Sequence, residues 1–82
     1  MNMEIIEVVG LREVNFTDDN GRTVDGTSVY FLIVADGVSG KMSGKLFVSR
    51  DRKKQMTYFP VVGDEVAVHY DRFGKPADFK PV

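Results

Sequence analysis

Six of the eleven basic residues fall between Lys41 and Lys54, and an aromatic side chain, Phe47, lies inside that stretch. The run Lys41-Met42-Ser43-Gly44-Lys45-Leu46-Phe47-Val48-Ser49 alternates with a period of two, the pattern of an extended strand. Met42, Gly44, Leu46 and Val48 form the apolar parity, and Lys41, Ser43, Lys45, Phe47 and Ser49 form the other. A large ring therefore stands on the polar face, among lysines. Cations attract phosphates and an exposed ring stacks bases, so the chemistry available here is capture of a single-stranded nucleic acid without reading its sequence. The competing reading has a partner protein or a second copy covering Phe47, with the lysines as ordinary protection of a strand edge.

Other groups extend or rival this patch. Arg50, Arg52, Lys53 and Lys54 make a compact run that either continues the basic track or is a solvated loop. Arg72 and Phe73 stand in a turn, where an aromatic beside an arginine either clamps a base or caps one end of the fold. Tyr30 and Phe31 fall on opposite faces of a strand, so one is core and the other available to ligand. A one-residue slip of register exchanges them; Tyr30 is retained as a candidate contact. Phe16 reads as hairpin packing, and Tyr58 and Phe59 as rings that plug an open end.

Catalytic constellations are missing from the sequence. His69 shares a strand face with Glu65, Ala67 and Asp71, but neighbours on one face are about 7 Å apart, beyond a direct hydrogen bond. Neither Ser43 nor Ser49 has a histidine that the sequence places beside it, and Asp64-Glu65 reads as a turn and a strand start. The expectation is a non-enzyme. With no cysteine and one histidine, neither a disulfide, a metal site nor a cofactor is expected.

Charge is distributed unevenly behind a formal net value of -1. The first forty residues carry seven acids against two bases, the stretch from 41 to 54 six bases against one acid, and the remainder three bases against four acids. A pI near 5.7 argues against polyanion binding as a property of the whole surface. A local positive patch survives. At 82 residues the chain fits one domain with a small core. No apolar stretch reaches membrane-span length and Met1-Asn2-Met3-Glu4 lacks a basic leader, so a soluble cytoplasmic protein without membrane association is expected.

The elements that must position these residues are strands. β-Branched and aromatic residues dominate, and turn dipeptides interrupt them at short intervals. A first strand is expected from Glu4 to Phe16, with Gly10 as a bulge or sharp bend. Asp18-Asp19-Asn20-Gly21 follows, and Asn-Gly predicts a tight hairpin with both residues at positive φ. A second, central strand runs from about Arg22 to Asp36, interrupted near Asp25-Gly26. Lys41 to Arg50 form the third. Asp51 to Gln55 allow one helical turn or a loop. Glu65 to Asp71 and Ala77 to Val82 form the last two strands, joined through Phe73-Gly74-Lys75-Pro76.

Long first strands, a break after the third and a final hairpin match an all-β, five-stranded Greek-key barrel of OB-fold type, with an SH3-like barrel as the alternative. The chain also resembles a family. Phe16-Thr17 opening a hairpin through Gly21 and Gly26 to Tyr30, the basic strand Gly44-Lys45-Leu46-Phe47-Val48-Ser49, and the ending Pro60-Val61-Val62-Gly63-Asp64-Glu65-Val66-Ala67-Val68-His69-Tyr70-Asp71-Arg72-Phe73-Gly74-Lys75-Pro76 are similar to the small OB-fold single-stranded-DNA-binding, or helix-destabilising, proteins of filamentous phages and their plasmid and conjugative relatives. The resemblance spans nearly the whole chain. It implies a homodimer that coats single-stranded DNA during replication or transfer, with the first hairpin projecting as a wing whose basic and aromatic residues touch DNA. Here the wing departs from that pattern, holding Asp18, Asp19 and Asp25 against a single base, Arg22. Binding is then expected to rest on Lys41, Lys45, Phe47, Arg50, Arg52, Lys53 and Lys54, with Arg72, Phe73, Arg22 and Tyr30 as further contacts. The same physics serves RNA.

Overall fold

The computed structural model describes residues 3–82, in the order β1 (Met3–Thr17), β2 (Thr23–Ile33), β3 (Met42–Ser49), α1 (Arg50–Gln55), β4 (Glu65–Tyr70) and β5 (Pro76–Pro81). All strand pairs are antiparallel, and the five strands lie in the order β3-β2-β1-β4-β5. Long β1 is the hub. Its first half pairs with β4, from Met3 opposite His69 to Glu7 opposite Glu65, and the rest pairs with β2, to Thr17 opposite Thr23.

The register between β1 and β2 shifts between Val8 and Gly10. The expected bulge at Gly10 is there, and it is held from outside the pair: Val8 N–H donates to the Asp64 carbonyl and Gly63 N–H donates to the Val8 carbonyl, both at 2.8 Å. A bulge exchanges the two faces of a strand. Before it Ile6 and Val8 are buried; after it Leu11 and Glu13 oppose the buried Val29 and Thr27. Gly10, Arg12, Val14 and Phe16 consequently turn outward.

The expected closed barrel does not form. β3 and β5 remain the two edges of one sheet and do not pair with each other. Two features keep β5 from closing the ring. Pro76 and Pro81 lack the N–H that a new ladder needs, and Thr57, in the segment after α1, bonds the Asp78 carboxylate of β5 through its N–H at 3.3 Å and its hydroxyl at 3.1 Å.

Every strand contributes to the core: Ile6 and Val8, Val29, Val48, Val66 and Val68, and Phe79 are all buried. Each such side chain contributes about 1.5–3 kcal/mol relative to exposure. Tyr58 and Phe59 pack against this cluster as expected, Phe59 meeting Phe79 edge-on with centroids 5.5 Å apart. The helical option after β3 is realised in α1. Ser49 caps it, its hydroxyl accepting from Arg52 N–H at 3.3 Å, and Arg52, Lys53 and Lys54 in the last turn suit the negative end of the helix dipole.

Two expectations from glycine change. β2 is not interrupted at Asp25-Gly26, because Gly26 pairs normally with Val14 and Ser49. The first hairpin is not a two-residue turn either. Among the described residues only glycines have positive φ, so Asn20 does not adopt it. Asp18 builds the turn instead: its Oδ1 accepts from the N–H groups of Asn20 and Arg22, both at 2.9 Å, while Gly21, at φ 79°, takes the left-handed position. The β4–β5 turn repeats this device, Asp71 Oδ1 accepting from Phe73 at 2.8 Å and Lys75 at 3.0 Å with Gly74 at φ 76°. Among the described residues, no helix is long and apolar enough to cross a membrane.

Candidate nucleic-acid interface

Register alone assembles a surface on the outer face of β1, β2 and β3. One row across the three strands is Gly10, Tyr30 and Lys45; the next is Arg12, Ser28 and Phe47; the next is Val14, Gly26 and Ser49. Phe16, opposite Val24, extends the face on β1. These rows contain two cations, three aromatic rings and no carboxylate. Phe47 is 41% exposed, as the alternation of β3 requires, and Phe16 is 52% exposed rather than packed into the hairpin. The Tyr30–Phe31 ambiguity resolves with Tyr30 outward beside Lys45 and Phe31 inward, its ring against Gly44.

Two of the rings rest on glycines. A Cβ at Gly26 would lie 2.6 Å from Phe47 Cζ and collide with the Val48 carbonyl oxygen, and a Cβ at Gly10 would lie 3.5 Å from Tyr30 Cδ2. An open depression of about 400 Å³ runs beside them, lined by Arg12, Val14, Phe16, Ser28, Tyr30 and Lys45 and, from the other parity of β1, by Glu13 and Asn15.

The other sequence candidates stand outside these rows. Lys41, just before β3, pairs with Glu7 at 2.9 Å, and Arg50, the first residue of α1, with Asp25 at 3.2 Å. Arg52 turns away from β3, pairing with Asp71 at 3.3 Å and donating to the Pro76 carbonyl at 3.2 Å, which ties α1 to the β4–β5 hairpin. Lys53 Nζ lies 4.4 Å from the centroid of the Phe59 ring. Among the described residues Lys45, Lys54, Arg12 and Arg22 have no ion-pair partner. Arg72 stacks 5.0 Å from the Phe73 centroid at the hairpin tip; Phe73 is 73% exposed and caps nothing.

The acids of the first hairpin are mostly engaged. Asp18 holds the turn, Asp25 holds Arg50, and Glu13 accepts a hydrogen bond from the buried Thr27 hydroxyl at 2.5 Å. Glu13 and Asp25 belong to the parity opposite Arg12 and Phe47, so the hairpin is acidic on one face and cationic on the other. Arg12 is the residue sequence reasoning missed. The bulge at Gly10 was its signal, because carrying the alternation through that bulge turns Arg12 onto the face of Phe47.

Fold and site together define a small, open antiparallel sheet protein with a cationic, aromatic outer face. No family model, curated protein or solved structure matches the chain.

Proposed function

We propose that this chain binds single-stranded DNA without strong sequence preference, in the replication or transfer of a phage or mobile element, and acts as a homodimer without catalysing a reaction. The carrying observation is the exposed ring of Phe47 in one cross-strand row with Arg12, beside the row that pairs Tyr30 with Lys45. Rings for bases and cations for phosphates within one face are what sequence-tolerant single-strand binding uses. An OB-like reading is supported by five antiparallel strands with a short helix after the third, taken as the open form of that architecture.

The test is a fluorescence-anisotropy titration with single-stranded DNA, single-stranded RNA and duplex at two salt concentrations. Single strands bind more tightly than duplex, and log K falls linearly with log salt, with a shallow slope set by few cations. Equal or tighter duplex binding refutes the proposal. A second reading, burial of the Phe47 face against a partner protein or a second copy, draws on the joint exposure of Phe16 and Phe47. In that case Phe47→Ala alters oligomeric state, while Lys45→Glu leaves function intact.

A further inference from the structure

Carboxylates of β1 and β2 hold the cationic strand at its two ends. Lys41 Nζ donates to Glu7 Oε1 at 2.9 Å and Arg50 Nη1 donates to Asp25 Oδ2 at 3.2 Å. The two cations lie about 30 Å apart along the extended chain, with Phe47 between them. Glu7 stands on the outer face of the sheet, opposite Leu32, which itself opposes Ser43. Asp25, although on the other parity of β2, and Arg50 line the same open depression as Phe47, together with Val24, Ser49 and Asp51. Both cationic side chains are well exposed, 50% for Lys41 and 67% for Arg50, so an arriving anion reaches them without unfolding anything.

We infer that Glu7 and Asp25 are internal counter-anions which a nucleic-acid phosphate must displace from Lys41 and Arg50, so that these two carboxylates hold the affinity of the Phe47 face below what its cations would otherwise give. The inference rests on the nucleic-acid reading above. Ion pairs this exposed are weak. A phosphate oxygen offers the same ammonium or guanidinium an equally good charge-assisted bond, so exchange is feasible for a strand already seated on Phe47 and Lys45. After exchange the carboxylate remains beside the new pair and opposes it. Asp19 provides the contrast, since it lies exposed at the hairpin tip and has no cationic partner among the described residues.

The experiment compares oligo-dT binding by the wild type, Glu7→Gln, Asp25→Asn and Asp19→Asn at low and moderate salt. Glu7→Gln and Asp25→Asn each bind about two- to fivefold more tightly than wild type, with a steeper salt dependence. Asp19→Asn, which changes net charge equally, does not. In the Glu7→Gln background, Lys41→Ala loses more affinity than in the wild type, a coupling that a purely structural role for the pair does not produce. An equal gain from Asp19→Asn, or unchanged or weaker binding by folded Glu7→Gln and Asp25→Asn, overturns the inference and leaves the binding function standing. No binding by any of the four proteins at low salt overturns the function itself.

Discussion

The ring of Phe47 lies across Gly26 of the neighbouring strand, so closely that a Cβ there would come within 2.6 Å of Phe47 Cζ. Gly26 is not on the row of Phe47, whose direct partner is Ser28, but one row along. The contact is diagonal, as aromatic side chains on a sheet allow. It holds the exposed ring down on the sheet instead of leaving it free to rotate in solvent.

Gly26→Ala should therefore disturb both stability and the face. The added methyl also meets the Val48 carbonyl, which is backbone and cannot rotate aside. Overpacking of this kind costs about 1–3 kcal/mol, which in a domain of this size lowers the melting temperature by about 4–8 °C per kcal/mol. Thermal unfolding by circular dichroism checks it; an unchanged melting temperature would show that the strands separate easily there.

Phe47→Ala should weaken oligo-dT binding about tenfold at fixed salt, the loss of roughly one stacked base. Its salt slope should stay unchanged, because no cation is removed. Anisotropy titrations at several salt concentrations separate the two quantities. A loss of dimer with intact DNA affinity would favour the protein-contact reading of the ring.

Arg12→Ala should also weaken binding, but by changing the salt slope that Phe47→Ala leaves alone. Removing one phosphate contact reduces the salt slope by about one and weakens all sequences equally. Arg52→Ala should leave the slope unchanged while destabilising the fold, since Arg52 links α1 to Asp71 and Pro76. Parallel salt titrations and melting curves of the two variants test this division.

Much of the fold was legible because it depends on local alternation and turn residues. The outward position of Phe47, the bulge at Gly10 and the helical turn after β3 all follow from residues within a few positions of each other. Closure of the sheet was not legible from the alternation, since it depends on whether β3 and β5 meet; the prolines at the two ends of β5 were the one local signal against it. The Asn20-Gly21 turn misled for a different reason: the acceptor that organises it is Asp18, and a side chain bonding two backbone amides outweighs the dipeptide preference. The candidate site was half legible. Lysine and arginine types marked the basic stretch, but which cations are occupied by Glu7, Asp25 and Asp71 is a matter of register between distant segments.

Acid should unfold the protein through two turn aspartates. The Tyr58 hydroxyl, with the Val61 N–H, holds Asp64 below the usual aspartate range, and the N–H groups of Lys75 and Phe73, with Arg52, do the same for Asp71. A carboxylate whose folded pKa is depressed stabilises the fold above its unfolded pKa, and that stability is lost as pH falls through the folded value. The melting temperature should therefore be level at neutral pH and begin to fall below about pH 5, as the unfolded chain starts to take up protons. Asp71→Asn keeps an oxygen acceptor for the turn but removes the charge. It should lower the melting temperature at pH 7 and reduce the further drop between pH 5 and pH 2, with Asp64→Asn behaving alike and weakening the loop that docks on the β1 bulge. Melting curves across that range decide the matter, and an acid transition of undiminished size in the double variant would assign acid sensitivity to other carboxylates.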